Sequence, residues 1–211
     1  MPQAIRETSM RSVVIAAAFA ALAAPALAQS AAPAKAPAGT YVLDKPHSSI
    51  EWKVLHQGMS WYSARFTRYD ITLDFNADDV SKSKVTATID PKSIVTDDAA
   101  KRPDGKSTFD KELGEDTLGG AKGIKFVSTK IVKTGDNTGK MTGDLTFLGV
   151  TKPVTLDVIM NGGRASAQTQ MKFKAGFTAT TTLNQADWGM TGPGSVAQGV
   201  KIEINAEFVQ K

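Results

Sequence analysis

The amino-acid sequence predicts an all-β domain, an antiparallel β-barrel of about eight strands with one short helix. After residue 40, most of the chain alternates apolar and polar residues with a period of two, as strands that bury one face do. Clusters of Gly, Pro, Asn and Asp separate the alternating segments at regular intervals. Short strands with turn signals between them are typical of a β-sandwich or a β-barrel.

The first half of this region predicts four strands. Three of them cover residues 50–55, 71–76 and 84–90, and each places its apolar side chains on one face. The fourth covers residues 125–132 and ends at a predicted turn over residues 134–139, which is rich in Gly, Asp and Asn.

The β-pattern lapses between the third and fourth strands, from Asp97 to Gly120. Phe109, Leu113 and Leu118 recur there at near-helical spacing among charged residues. We therefore predict a loop and one short helix near Phe109–Leu118.

The second half predicts a hairpin and two further strands. Residues 143–160 hold two alternating runs on either side of the segment Gly149–Pro153. This segment is interpreted as a turn, because Gly tolerates a positive φ and Pro cannot donate a hydrogen bond to a strand ladder. A long Thr-rich strand is predicted within residues 165–183. The last strand, residues 200–208, has the cleanest alternation in the chain.

Residues 1–28 have the features of a cleavable signal peptide. Arg6 and Arg11 precede the apolar run Val13–Leu22, and Ala26–Ala28 fits the small-x-small cleavage pattern. An uncleaved anchor is the alternative, although this run is too short to span a bilayer as a helix. The prediction is export to a bacterial periplasm.

Residues 29–39 are rich in Ala and Pro and predict a flexible spacer before a single folded domain at residues 40–211. The sequence has no Cys, which excludes disulfides, thiol catalysis and Cys-ligated metals. It has 25 Lys and Arg against 21 Asp and Glu, a net charge of +4. Both signs are interleaved and no basic patch carries aromatic residues, so nucleic-acid binding is not predicted.

Five motifs resemble, in order, those of the YceI-like family, whose members are lipocalin-like barrels exported by bacteria. Residues 44–60 match its opening motif D-x-x-H-S-x-h-x-F-x-h-x-H-x-G-x-S, where h is apolar and Trp52 takes the place of Phe. Residues 143–156 match G-x-L-T-h-x-G-V-T-K-P-V-x-h. Residues 183–190 resemble L-x-R-x-D-F-G-h, with Gln185 for Arg and Trp188 for Phe. The two shorter motifs lie at residues 93–96 and 124–129.

The resemblance implies a lipocalin-like barrel that binds a long isoprenoid chain in an elongated apolar cavity. It predicts a periplasmic protein that carries or stores an isoprenoid quinone or polyprenyl chain, with that lipid as ligand and no other cofactor. The alternatives are a periplasmic hydrolase or isomerase acting on a similar amphiphile, with His47 or His56 as general base, and a barrel filled by side chains. Stable membrane insertion is not predicted, and a homodimer is one assembly that the sequence allows.

Two sets of residues are predicted to contact the ligand. The alternation fails at residues 56–62 and 187–193, and these segments are rich in Gly, Met and Trp, which suit a lipid entrance. The entrance set is Trp61, Trp188 and Met190, with His56 near the head group, and the wall set is Trp52, Phe126, Phe147 and Phe173. In the alternative interpretation, Trp61 and Trp188 plug the ends of the barrel.

No catalytic residue and no metal site is predicted. His47 and His56 are the only histidines, and their odd separation places them on opposite faces of an unbroken strand. Two ligands from one strand would also be too few for a metal. We expect His47 to make structural hydrogen bonds.

Overall fold

The structure is a computed structural model that describes residues 35–96, 98, 107–120, 122–165, 167–190 and 199–211. The chain divides into one unit of residues 1–30 and a second of residues 31–211, and all described residues belong to the second. The predicted signal peptide and the first part of the predicted spacer lie outside the described residues.

Eleven strands form one antiparallel sheet in the part of the chain that the structure describes. They are β1 (Gly39–Leu43), β2 (Ser49–His56), β3 (Ser60–Phe66), β4 (Tyr69–Phe75), β5 (Lys84–Ile89), β6 (Ile94–Val95), β7 (Ile124–Lys133), β8 (Thr138–Phe147), β9 (Val150–Ala165), β10 (Phe173–Leu183) and β11 (Val200–Gln210).

The sheet closes on itself through β11. One edge of β11 pairs with β10, while its other edge pairs with β2 along residues 201–205 and with β1 along residues 208–210. Short connections divide β1 from β2, β3 from β4 and β5 from β6, and the first and third of them contain the 3₁₀ helices Lys45–His47 and Pro91–Ser93. Each of these three pairs of strands occupies one position of a barrel with eight positions. The predicted antiparallel barrel of about eight strands is confirmed.

The strands differ from the prediction at several points. Strands β1, β3 and β6 were not predicted from the alternation, and β10 begins at Phe173 rather than near Ala165. The sequence also placed a break at Gly149–Pro153, whereas the turn consists of Leu148 and Gly149 alone.

The tight turn between β8 and β9 has a simple conformational cause. Leu148 and Gly149 have φ values of 51° and 82°, which is the mirror-image turn that matches the twist of a two-residue hairpin. Pro153 then lies inside β9, opposite Asp144 of β8. It is tolerated because β9 pairs with β10 only from Asp157 onward, so no third strand needs an N–H from Pro153.

The short helix is found where the sequence predicts it. Helix α1 (Thr108–Lys111) continues as a π-helical turn over Glu112–Thr117. Ser107 caps it, because its Oγ accepts a hydrogen bond from the backbone N–H of Asp110 at 3.1 Å. Within the described ranges, no helix is both long and apolar enough to cross a membrane.

A charged cluster ties the turn after β1 to β10 and β11. Lys174 Nζ contacts Asp44 Oδ2 at 2.8 Å and Glu207 Oε2 at 2.7 Å, and His47 Nδ1 lies 3.0 Å from Asp44 Oδ2. The hydrogen bond from Lys174 holds the pKa of the Asp44 carboxyl below its ordinary value, and the two carboxylates raise the pKa of Lys174. Asp44, His47 and Glu207 also have metal-ligand atoms, but the Lys174 ammonium already supplies the cation between the two carboxylates.

Replacing Lys174 with Met is expected to lower the free energy of unfolding by about 1–2 kcal/mol at pH 7, since two partly buried carboxylates lose their partner. Asp44 has a depressed pKa in the folded state, so its contribution is present above the unfolded value of about 3.8 and is lost as the pH falls through the folded value. The difference between wild type and variant should therefore shrink below about pH 4.

Urea unfolding at pH 7 and at pH 3 measures this difference directly. Lys140→Met is the control, because the pair of Lys140 with Asp157 is largely solvent-exposed and should contribute less than about 0.5 kcal/mol. Equal stability of wild type and Lys174→Met at pH 7 would contradict the prediction.

Candidate functional site: an apolar cavity inside the barrel

An apolar cavity of about 930 Å³ lies inside the barrel. Its lining includes both ends of β7, from Ile124 to Lys133. At about 3.3 Å per residue and the usual tilt of barrel strands, this corresponds to a length of roughly 20–25 Å. The volume is at the upper end of the roughly 300–1,000 Å³ that small-molecule sites occupy, and the shape suits a slender molecule.

The walls are built by alternate residues of the strands, because every second side chain of a barrel strand points inward. The inward residues of four strands illustrate the pattern: Ile50, Trp52 and Val54 of β2, Ile71, Leu73 and Phe75 of β4, Val85, Ala87 and Ile89 of β5, and Ile202, Ile204, Ala206 and Phe208 of β11. The period-two alternation of the sequence thus becomes an apolar inner surface.

One end of the cavity, here called the helix end, is lined by residues of the segment 107–118 and of the neighbouring strand ends. The Tyr62 ring lies 6.2 Å from Trp52 and 6.0 Å from Phe109, measured between ring centroids. On the other side of this end, Phe147 lies 6.3 Å from Trp188. The helix end is therefore framed by aromatic side chains.

Trp188 reaches the cavity from a short 3₁₀ helix, Gln185–Trp188, between β10 and β11. Asn184 begins that helix, and its Oδ1 accepts a hydrogen bond from the Ala186 N–H at 3.2 Å. Gly189 ends it with a φ of 79°, a conformation that glycine adopts without strain. The helix thereby places the indole of Trp188 against Phe147 at the cavity wall.

The indole N–H groups of Trp52 and Trp188 are buried near this end of the cavity. The two residues are only 9% and 5% exposed, and neither Nε1 has a hydrogen-bond partner among the described residues. A buried donor without a partner costs about 1–3 kcal/mol, so these two N–H groups stand out among the buried polar groups of the described residues.

The other end, here called the hairpin end, lies beside the turn between β7 and β8, residues 133–138. Ala36 is only 5% exposed there and lines the cavity. Tyr41 Oη donates a 2.8 Å hydrogen bond to the Pro37 carbonyl, which holds this segment against the barrel. The sequence predicted a spacer through residue 39, but residues 35–39 pack on the domain because Ala36 fills space at the cavity.

Comparison with known proteins identifies the family. The YceI-like domain family matches residues 41–208. The chain belongs to the YceI-like family. It is 36% identical over 182 residues to a UPF0312 protein of Pseudomonas savastanoi pv. phaseolicola, an alignment that covers 84% of this chain and 90% of that protein.

Two solved structures show the same YceI-like fold. The YCEI protein of Campylobacter jejuni is 27% identical with a TM-score of 0.62, and the match covers 81% of this chain and 98% of that one. A polyisoprenoid binding domain from Saccharophagus degradans is 10% identical with a TM-score of 0.58, and the match covers 83% of this chain and 100% of that domain. The lipocalin-like architecture expected from the motifs is thereby established.

Most of the residues predicted to contact a ligand line the cavity of this YceI-like barrel. They are Trp52, His56, Phe126, Phe147, Trp188 and Met190. His56 is the last residue of β2 and lies exposed at the rim of the helix end. Of the two predicted entrance segments, residues 191–193 lie outside the described residues.

Trp61 and Phe173 lie elsewhere. Trp61 is 48% exposed on the outer surface, where Lys201 Nζ lies 4.0 Å from its ring centroid. Its neighbour Tyr62 faces the cavity instead, because successive strand residues point to opposite faces. Phe173 is buried where β10 begins, and its ring packs so closely on Gly163 that a Cβ there would come within 2.5 Å of it.

The sequence missed several lining residues at the two ends. Tyr62 and Phe109 line the helix end, and Phe177 and Phe208 form an edge-to-face pair with centroids 6.0 Å apart. Phe208 could have been identified from the sequence, because it lies on the apolar face of the regularly alternating strand β11. His47, by contrast, is not among the cavity-lining residues, since it lies in the turn before β2 and contacts Asp44.

Proposed function

We propose that this protein binds lipids and carries or stores one long isoprenoid chain, the tail of a quinone or polyprenyl lipid, in its apolar cavity. The observation that carries the proposal is a single apolar space that extends along the barrel and has aromatic residues around its helix end. Each methylene group transferred from water contributes about 0.8 kcal/mol, so a chain of many carbons binds tightly with few polar contacts.

The structural comparison supports this proposal. The Saccharophagus degradans domain that shares the fold is described as polyisoprenoid binding. That likeness concerns the architecture alone, and the argument for this chain depends on its own apolar lining. The position of His47 also agrees with a carrier rather than an enzyme. A general base would have to face the ligand, whereas His47 contacts Asp44 and is not among the cavity-lining residues.

The proposal includes export to a periplasm. Its support is the sequence of residues 1–28, which combines a basic start, an apolar run and a small-x-small site. Cleavage after Ala28 would leave Gln29 as the first residue of the mature chain.

Native mass spectrometry of the protein purified from its own host under gentle conditions tests binding and export together. We expect a polypeptide that begins at Gln29 and carries one isoprenoid lipid, identified by fragmentation after extraction. A mature polypeptide without lipid would overturn the binding proposal, and an intact residue 1–28 segment would overturn the proposed processing.

A further inference from the structure

We propose that the helix end of the barrel docks reversibly onto the surface of a phospholipid bilayer, with Met59, Trp61, Phe109 and Val150 as the side chains that enter the bilayer interface. The inference rests on the proposed function, because a protein that carries a membrane lipid has to exchange that lipid with a bilayer. It also gives a role to Trp61, which lies on the outer surface and does not line the cavity.

The four side chains are apolar and exposed. Met59 is 73% exposed, Trp61 48%, Phe109 42% and Val150 39%. Met59 belongs to the turn between β2 and β3, Trp61 is the second residue of β3, Phe109 belongs to α1, and Val150 begins β9. Among the described residues, Trp61 and Phe109 are the two aromatic side chains with the largest exposure, and both lie at this end of the barrel. Exposed aromatic residues at one end of a protein are typical of a membrane interface.

These side chains surround the end of the cavity. The turn between β2 and β3 and the turn between β8 and β9 lie on opposite sides of the barrel, with β5, β6 and β7 between them on one side and β10 and β11 on the other. Phe109 lies in the connection from β6 to β7, and its ring centroid is 6.0 Å from that of Tyr62 on β3. A fluid bilayer surface can contact all of these positions at once, whereas a folded partner would have to span the end of the barrel.

The charge around the cavity also distinguishes its two ends. The acidic and basic residues that line the hairpin end are Lys35, Lys133, Asp136 and Lys140. At the helix end, His56 is the one basic lining residue in the described part of the chain, and no acidic residue lines the cavity there. Removing charged groups from water is strongly unfavourable, so the helix end is the one that can face a bilayer at low cost.

Lysine side chains flank the apolar ones at this end. Lys201 Nζ lies 4.0 Å from the ring centroid of Trp61, and Lys122 Nζ donates a 3.1 Å hydrogen bond to the carbonyl of Leu148 in the turn before β9. At a membrane surface, an indole lies at the level of the head groups and a neighbouring ammonium reaches the phosphates. Exposed acidic residues in Glu112–Thr117 balance these lysines. Docking should therefore depend on apolar contact with the interface rather than on net charge.

The test compares two double variants of the delipidated mature protein in flotation with phosphatidylcholine vesicles. Met59→Ser/Trp61→Thr removes one turn residue and one strand residue that do not line the cavity. Ile159→Thr/Met171→Ser is the matched control, because Ile159 on β9 and Met171 in the turn before β10 are 43% and 68% exposed at the hairpin end. The helix-end variant should partition onto vesicles about 10- to 50-fold less than the wild type, and the control should equal the wild type.

Fluorescence provides a readout from the wild type itself. Vesicles of brominated phosphatidylcholine should quench Trp61, whereas Trp52 and Trp188 are buried and should be quenched far less. Trp61→Phe measures the contribution of these two buried residues. High salt should leave both the quenching and the partitioning unchanged, because the contact is mainly apolar.

Equal partitioning of the two double variants, unquenched fluorescence of the wild type, or loss of vesicle binding in high salt would overturn the docking inference. A dimer in solution that only the helix-end variant disrupts would overturn it as well, since a second copy would then cover these side chains. Both double variants should bind geranylgeraniol from detergent like the wild type. Failure of the wild type to bind it there would overturn the proposed function, and this result is independent of vesicle binding.

Discussion

The double variant Ala87→Phe/Ala179→Phe is expected to lose at least 100-fold in affinity for an isoprenoid lipid while keeping the barrel folded. Both alanines are buried and line the cavity. Ala87 lies on β5 and Ala179 on β10, which are separated by β7, β8 and β9 in the barrel order. In a barrel with eight positions these strands form opposite walls, so the two new rings meet across the cavity.

The expected magnitude follows from the methylene groups that the rings exclude. Each methylene kept out of the cavity forfeits about 0.8 kcal/mol, so the exclusion of four weakens binding by about 3 kcal/mol, or roughly 200-fold. The fold should tolerate the change, because the rings enter open space in the cavity rather than a close-packed core. We expect any loss of stability to stay at the low end of the 1–3 kcal/mol typical of overpacking, near 1 kcal/mol.

The matched control is Thr88→Phe/Thr180→Phe. These residues follow Ala87 and Ala179 directly, and both are exposed on the outer surface. The control adds the same apolar groups to the same strands, so it should retain lipid like the wild type. Isoprenoid affinity and thermal unfolding of both variants check the prediction, and full retention in the cavity variant would place the ligand somewhere else.

The sequence predicts the strands of this barrel well where a single face is apolar. In β11 the residues Val200, Ile202 and Ile204 alternate with charged or polar ones, and the structure places them along the cavity. In β3 the alternation is hidden, because Trp61 faces outward while Ala64 is the inward residue nearby. Strand β6 consists of two residues, Ile94 and Val95, which are too few to show any period.

The alternation of successive side chains between the two faces of a strand also decides which aromatic residues reach the cavity. In the predicted entrance segment His56–Tyr62, both end residues line the cavity, but a shift of one residue exchanges Trp61 for Tyr62. Phe173 could not be assigned from the sequence, since its position depends on packing against Gly163 of the neighbouring strand. The missing hydrogen-bond partners of Trp52 and Trp188 likewise follow from three-dimensional contacts that no periodicity encodes.

The second large effect is expected at Gly143 of β8, where a single added Cβ atom should lower the stability of the barrel. A Cβ there would lie 2.3 Å from Phe126 Cζ and 2.5 Å from the Val127 carbonyl oxygen, both on the neighbouring strand β7. The Phe126 ring covers Gly143 and lines the cavity, so it can yield only by moving into the ligand space. The carbonyl oxygen belongs to the β7 backbone and can yield only by distorting the strand pairing around Ser128.

Gly143→Ala is therefore expected to destabilise the barrel by about 3 kcal/mol, which corresponds to a decrease in Tm of about 6–12 °C for a domain of this size. Gly162→Ala in β9 is the matched control, because a Cβ at Gly162 meets nothing within 4 Å. Since Gly weakens a strand interior, that control should equal or exceed the wild type in stability, by up to about 1 kcal/mol. Thermal and urea unfolding of the three proteins provide the comparison. A Gly143→Ala variant as stable as Gly162→Ala would mean that Phe126 does not pack on the Gly143 backbone, and the wall of the cavity there would have to be assigned differently.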